Sequence, residues 1–253
     1  MDFLSTAILS VVEGITEYLP VSSTAHILIT ERLLKISGDF ALTFAIFIQG
    51  ASVLAIVILY LKKILENLSL VPKVIVGFLP TAFVGFFLYD FIKGYLLESM
   101  FVIATALFVG GVVMLLVDKK EEKYKKEVEE ITHKESLVLG FSQILAFIPG
   151  MSRSGSTIIV GRLVNFPRKM IIEVSFLLAI PTILGATVLD LAKTATNFSS
   201  YEIKILIFGG IVSFVTSLLV AKWLLAYLSN HSFKIFAWYR ILLALFIFIF
   251  FVI

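Results

Sequence analysis

The chain has 253 residues, of which 59% are hydrophobic and only 15% charged, with 24 phenylalanines, a net charge of +3 and no cysteine. That balance excludes a water-soluble domain, and the lack of period-two alternation excludes a membrane barrel. The absence of thiols excludes disulfides, thiolate metal sites and cysteine nucleophiles. The small basic surplus lies mainly between apolar stretches, where it sets topology or meets anionic headgroups rather than nucleic acid. The expected fold class is all-α, a polytopic membrane helical bundle in a single domain.

The first apolar stretch is not expected to be a signal peptide, because the chain opens Met-Asp with no basic segment and Glu13 cuts the stretch short. Residues 3–35 are apolar but split around Pro20, and each half is too short or too polar to cross a membrane alone. A re-entrant hairpin that enters and leaves by one face fits, and its broken backbone needs protein or a polar cavity around it. At the break stands Glu13-Gly-Ile-Thr-Glu17-Tyr-Leu-Pro20-Val-Ser22-Ser23-Thr24-Ala-His26. A charge at the bilayer centre costs roughly 2.5–3.5 kcal/mol, so a chain that keeps several is expected to use them. Glu13 and Glu17 share one helix face, and adjacent carboxylates repel unless a cation or proton stands between them. Mg²⁺ or Ca²⁺ resolves that repulsion and takes phosphate oxygens as well. The bland alternative is two acids at a water interface. Pro20 should end the first half-helix, and Ser22, Ser23 and Thr24 should cap the next, whose N-terminus then suits an anion. Plain capping would need the same residues. His26 suits a general acid or base, or else a hydrogen-bonded helix contact.

Spans over about 40–61, 74–92 and 100–117 complete the first half, at about 1–117. Residues 118–135 alternate six lysines with seven acids and read as a solvated linker. Residues 136–166 form a second broken stretch around Pro149-Gly150-Met-Ser152-Arg153-Ser154-Gly155-Ser156-Thr157. Ser152, Ser154, Ser156 and Thr157 supply hydroxyls, Gly150 and Gly155 permit close backbone approach, and Arg153 offers a planar fork for phosphate oxygens. Alternatively Arg153 pairs with Glu13 or Glu17 and only holds the halves together. Spans over about 170–191, 205–228 and 235–253 end the second half. Gln49, Gln143, Glu173, Asp90, Asp190, Lys222 and Arg240 read as span-end or interhelical contacts.

The order of broken hairpin and then three spans thus occurs twice. Aligning Pro20 with Pro149 also pairs Ile15 with Ile144, Tyr18 with Phe147, Leu19 with Ile148 and Ser23 with Ser152. Three spans per half is odd, so the second repeat is expected to be inverted, with a site where the two tips meet at the midplane. One side carries Lys62, Lys63, Lys73, Lys119, Lys120, Lys123, Lys125, Lys126, Lys134, Arg168, Lys169 and Lys234; the other carries only Arg32, Lys35, Lys93, Lys193 and Lys204. The positive-inside rule makes the first side cytoplasmic and both termini external. Acids for a metal, a proton carrier, hydroxyls and a fixed cation in a membrane suggest phosphoryl chemistry. A transporter or flippase, with the acids carrying coupling ions, is the rival reading.

The strings Glu-Gly-x-Thr-Glu-x-Leu-Pro-Val-Ser-Ser-Thr-x-His and Pro-Gly-x-Ser-Arg-Ser-Gly-x-Thr resemble the two signatures of the undecaprenyl-diphosphatase family, the BacA-type bacitracin-resistance proteins. The resemblance covers nearly the whole chain and implies removal of the terminal phosphate from a C55 polyprenyl diphosphate. The products are the monophosphate carrier lipid, which serves cell-wall synthesis, and inorganic phosphate. It further implies a divalent metal and a plasma-membrane site open to the outer face. By resemblance Glu13 and Glu17 match the acidic pair, Ser23 and His26 the nucleophile and acid/base, and Arg153 the phosphate-binding arginine. Ser22, Thr24, Ser152, Ser154 and Thr157 are expected to contact substrate. Ala25 departs from a common glycine and should matter little, since alanine favours a helix. The expected partners are lipids and the polyprenyl substrate, and a homodimer is open.

Overall fold

A computed structural model describes residues 1–91, 99–118, 126–194, 198–228 and 231–252, with only the backbone of 89–91 and 194. Lys93, Lys119, Lys120, Lys123, Lys125, the side chain of Asp90 and much of the charged linker lie outside the described residues. Among those described there are ten α-helices and no strand. They are α1 (Phe3–Thr16), α2 (Ser23–Leu34), α3 (Asp39–Glu66), α4 (Leu70–Phe91), α5 (Met100–Val117), α6 (His133–Ser142), α7 (Arg153–Leu163), α8 (Arg168–Thr194), α9 (Ser200–Leu228) and α10 (Lys234–Ile247). Six are long and apolar enough to cross a membrane: α3, α4, α5, α8, α9 and α10 with its π-helical extension to Val252. All six expected spans are present. Their outer faces are apolar; Phe83, Phe86 and Phe87 on α4 are each 68% exposed, which suits contact with lipid rather than water.

Both expected breaks are present. Helix α1 stops at Thr16, four residues before Pro20, because a proline ring clashes with the carbonyl four positions back and brings no N–H. Helix α2 restarts at Ser23 with Ser22 as N-cap, its Oγ accepting from the Ala25 N–H at 3.4 Å. In the second hairpin α6 runs into a 3₁₀ turn over Gln143–Phe147, and α7 restarts at Arg153 with Ser152 as N-cap. Ser152 Oγ accepts from the Gly155 N–H at 3.1 Å. Ser22 and Ser152 share an unusual φ of 71°, which a serine rarely adopts. The two restarted helices also end alike. Lys35 and Asn165 take left-handed conformations, and the next N–H groups, of Ile36 and Phe166, bond back to Glu31 and Gly161.

These shared features correct the alignment made on the prolines. The backbone matches Ser22, not Ser23, with Ser152. Two steps separate Pro20 from its cap and three separate Pro149 from its own, so Gly150, at φ +95°, takes up the extra residue. Aligning the prolines therefore shifts everything after them by one.

Helix α1 packs on α9, α6 on α4, α5 on α10, α7 on α8, and α3 on both α8 and α9. The α4–α6 contact is close enough that a Cβ on Gly140 would run into the Gly77 backbone. Helices α4 and α8 each run through a proline, Pro80 and Pro181. Each proline is followed by a threonine that faces the interior: Thr81 Oγ1 donates to the Gly140 carbonyl at 3.1 Å, and Thr182 Oγ1 to Gln143 Oε1 at 3.3 Å.

Charged groups gather at one end of the bundle. Lys63 bridges Glu173 at 2.6 Å and Glu129 at 3.2 Å, and Lys73 donates to the Glu129 carbonyl at 2.8 Å. Asp118 accepts from Arg168 at 3.1 Å and from the Phe233 N–H at 3.0 Å. This set joins the loops assigned to one side by their lysines. At the opposite end Tyr201 donates to the Met1 carbonyl at 3.1 Å, beside Lys35 and Ser199. The reading of residues 118–135 as merely solvated needs correction for the described part. Val128 and Ile131 are buried in the core and Asp118, Glu127 and Glu129 are paired, so this segment is pinned to the bundle.

Candidate functional site

The two tips meet. Ser154 Oγ, at the start of α7, donates to the carbonyl of Leu19 in the first break at 3.1 Å. Around the junction lies a pocket of about 200 Å³ lined by residues of both tips, among them Glu17, Ser22, Ser23, Thr24, Gly150, Ser152 and Arg153. The N-termini of α2 and α7 therefore face one volume, which suits an anion.

Glu17 is the hub. One carboxylate oxygen, Oε2, accepts from Ser23 Oγ at 2.6 Å and from Gln49 Nε2 at 3.2 Å. The other, Oε1, accepts from Arg153 Nη2 at 3.1 Å. Nη1 of Arg153 donates to the Ser175 carbonyl at 2.8 Å, and its Cζ lies 6.0 Å from the Tyr18 ring centroid. Side-chain exposure in the pair is 10% for Arg153 and 4% for Glu17, so the ion pair is buried. The carboxyl of Glu13 interacts with that of Glu17. Its Oε1 is buried without a hydrogen-bond partner among the described residues. An orphaned carboxylate oxygen beside a second carboxylate is an oxygen donor pair of the kind a hard cation takes. The described residues contain no group of three or more His, Cys, Asp or Glu placed to hold a metal. A metal here would lean on two carboxylates and complete its shell with water and phosphate, as Mg²⁺ commonly does.

The remaining expected residues divide. Ser22, Thr24 and Ser152 line the pocket. Ser154 bonds the opposite tip, and Thr157 Oγ1 donates to the Arg153 carbonyl at 3.0 Å within its own helix. His26 is not brought to the pocket. Its Nδ1 pairs with the Ser22 carbonyl at 2.8 Å, and its Nε2 pairs with the hydroxyl of Tyr239 on α10 at 2.7 Å. The two rings stack at 6°. Both ring nitrogens of His26 are thus engaged in hydrogen bonds here, and the acceptor beside Ser23 Oγ is Glu17.

Arg240 is more than the ordinary interhelical contact expected of it. Fully buried, it donates to the carbonyls of Pro20 at 3.1 Å, Met151 at 2.9 Å, Gly150 at 3.0 Å, Ala106 at 3.3 Å and Leu107 at 3.5 Å. One guanidinium thus ties both breaks to α5. No sequence signal announces this, because carbonyl ligands carry no residue code.

Beyond the polar pocket lies a cavity of about 520 Å³, walled by Leu28, Leu42, Ile46, Phe78, Phe86 and Phe147 among others. Thr24, Gln49, Thr81, Phe147, Thr182 and Ala186 line both spaces, so the two adjoin. Glu13 lines the apolar one and Glu17 the polar one.

Six helices long and apolar enough to cross, with two broken segments that close on a buried polar pocket, define a multi-pass membrane protein. Residues 6–246 match the family model described as bacitracin resistance protein BacA. The chain is 44% identical over 241 residues to an undecaprenyl-diphosphatase of Aquifex aeolicus (strain VF5), covering 94% of each. It is 39% identical over 256 residues to one of Methanococcus aeolicus, spanning 100% of both, and 38% identical over 260 residues to undecaprenyl-diphosphatase 1 of Clostridioides difficile (strain 630), covering 97% of this chain and 94% of that one. The chain belongs to the BacA family.

Proposed function

We propose that the protein removes the terminal phosphate of a long-chain polyprenyl diphosphate, undecaprenyl diphosphate by similarity to its relatives, in the plane of the membrane. The observation that carries this reading is the single pocket in which Glu17 holds both Ser23 Oγ and Arg153, adjoining an apolar cavity suited to a prenyl chain. The diphosphate enters between the tips and takes over the Arg153 fork, which balances the charge that spreads over the transferred phosphoryl group. Ser23 Oγ attacks the terminal phosphorus in line, its proton passes to Glu17 Oε2, and the bridging P–O bond breaks with its electrons on the departing monophosphate. Water then attacks the seryl phosphate, the P–Oγ bond breaks as Glu17 returns its proton to Ser23 Oγ, and inorganic phosphate leaves with the oxygen and protons of the water. Glu13 and Glu17 would hold a divalent cation, Mg²⁺ or Ca²⁺, which when bound adds positive charge beside the phosphates.

The architecture in this reading is two inverted-topology repeats, about 1–117 and 136–253, with the termini and the mouth of the site on the outer face. The matching caps at Ser22 and Ser152, the matching helix ends at Lys35 and Asn165, and the charge-rich end of the bundle support it.

The test is phosphate release from polyprenyl diphosphate by purified protein in detergent. Release that is lost on chelation and restored by Mg²⁺ or Ca²⁺ is the expected result. Headgroup movement across vesicles with no phosphate released would identify a transporter instead. Ser23→Ala is expected to lower turnover by about 10²-fold or more, because the nucleophile and its contact with Glu17 are both removed. Turnover within a few fold of the wild type would make water the nucleophile and leave Ser23 as a phosphate ligand.

A further inference from the structure

The pocket holds a donor that none of the roles above uses. Gln143 opens the 3₁₀ turn before Pro149, lines the 200 Å³ pocket and is 1% exposed. Its Oε1 accepts from Thr182 Oγ1 at 3.3 Å, which leaves the amino group as the free end of the amide. That Nε2 is buried with no hydrogen-bond partner among the described residues. Arg153 Nε, in the same pocket, is a second buried donor without a partner. A protein rarely keeps an unsatisfied buried N–H, since the desolvation is not recovered. Two of them around one small volume, with the N-termini of α2 and α7 facing it, are complementary to an anion rich in acceptor oxygens.

We infer that Gln143 Nε2 donates a hydrogen bond to a phosphate oxygen of the substrate headgroup, with Thr182 fixing the amide so that its N–H groups are the ones presented. This rests on the phosphatase reading, because the anion is taken to be the diphosphate. An amide suits the position because it has no charge of its own to hold the product after the reaction, whereas a carboxylate would repel the headgroup. Gln143 is a binding residue in this assignment and takes no proton.

The test compares wild type, Gln143→Leu and Gln143→Glu, each reconstituted in the same detergent. Binding is read with a C15 prenyl methylene-diphosphonate, which cannot be hydrolysed at its bridge, and phosphate release and thermal unfolding are measured in parallel. Leucine should weaken binding roughly tenfold or more, as expected for a lost hydrogen bond to a charged group. Glutamate should weaken it further, although it still offers Thr182 an acceptor. A purely structural role predicts the reverse order, with glutamate close to wild type and leucine worse, and that order overturns the inference. So does unchanged binding in both variants. Where leucine prevents folding, Gln143→Met takes its place with the same expectation. Wild type that binds the diphosphonate but releases no phosphate would remove the phosphatase reading and leave the Gln143 assignment to the binding data. Wild type that does neither removes both.

Discussion

Arg153→Ala should all but abolish phosphate release, with turnover down by about 10³-fold, the upper end of what one lost transition-state donor costs. The reason is double occupancy of the guanidinium. In the free protein Arg153 neutralises Glu17 Oε1 at 3.1 Å and is held by the Ser175 carbonyl at 2.8 Å. In the proposed reaction the same fork faces the phosphoryl oxygens. Alanine removes the cation and leaves a buried carboxylate with less compensation, so stability should also fall, by about 3–5 kcal/mol for one half of a buried pair. Arg153→Lys keeps the charge and loses the planar fork, and should fall between the two. Glu17→Gln is the complementary variant. It keeps the shape beside Ser23 but cannot take its proton, and it leaves Arg153 unpaired; the expected loss in turnover is about 10²- to 10⁴-fold. The double variant Glu17→Gln, Arg153→Ala should lose little more than the worse single, because each single already disables the shared unit. Rates are to be taken per folded molecule, with unfolding followed in the same detergent. Arg153→Ala with more than a tenth of wild-type turnover would sink the assignment, and reduce the ion pair to a brace between the tips.

That brace was one of two readings open from the sequence, and the ion pair of Arg153 with Glu17 is the part the structure shows. The rest was legible to different degrees. The six spans follow from length and apolarity alone, since nothing else fills twenty residues of that composition. The breaks follow from Pro20 and from Pro149-Gly150, because proline removes a donor and forbids the preceding turn. Ser22 was legible as a cap because a short hydroxyl side chain after a break has few other uses. The bond between Glu17 and Ser23 was not, since six residues across a broken helix follow no periodic rule. The contact of His26 with Tyr239 was not legible either, because the chemistry of imidazole is generic and its partner is far away in the chain. The correspondence of the two breaks lies at the caps Ser22 and Ser152, which share a backbone conformation, and not at the prolines, whose distance to the cap differs by one residue. Val128 and Ile131 were overlooked because their charged neighbours dominate the composition, although their burial is what pins that segment.

Arg240→Leu should destabilise the protein by about 3 kcal/mol or more and take activity with it, though Arg240 does not line the pocket. Its guanidinium makes five bonds, all to carbonyls, and forms no salt bridge among the described residues. Three of those carbonyls, on Pro20, Gly150 and Met151, belong to the broken tips, where no helical N–H bonds replace the arginine. Leucine would leave them buried and unpaired, each at a cost of about 1–3 kcal/mol. The surroundings are shaped for the guanidinium: a Cβ on Gly110 would run into its Nη2, and one on Gly155 would come within 2.8 Å of Nη1. Lysine has three donors on a single flexible stem and cannot reach five carbonyls set around a plane. Arg240→Lys should therefore fold, recover part of the lost stability, and still turn over about 10²-fold more slowly, because a tip displaced by an ångström misaligns Ser23 and Arg153. The contrast with the pocket residues lies in which constants move. Gln143 variants should change mainly affinity for the diphosphonate, whereas Arg240→Lys should change turnover more than affinity. If Arg240→Leu unfolded at the wild-type temperature and released phosphate at the wild-type rate, the carbonyl clamp would not be what sets the two tips against each other.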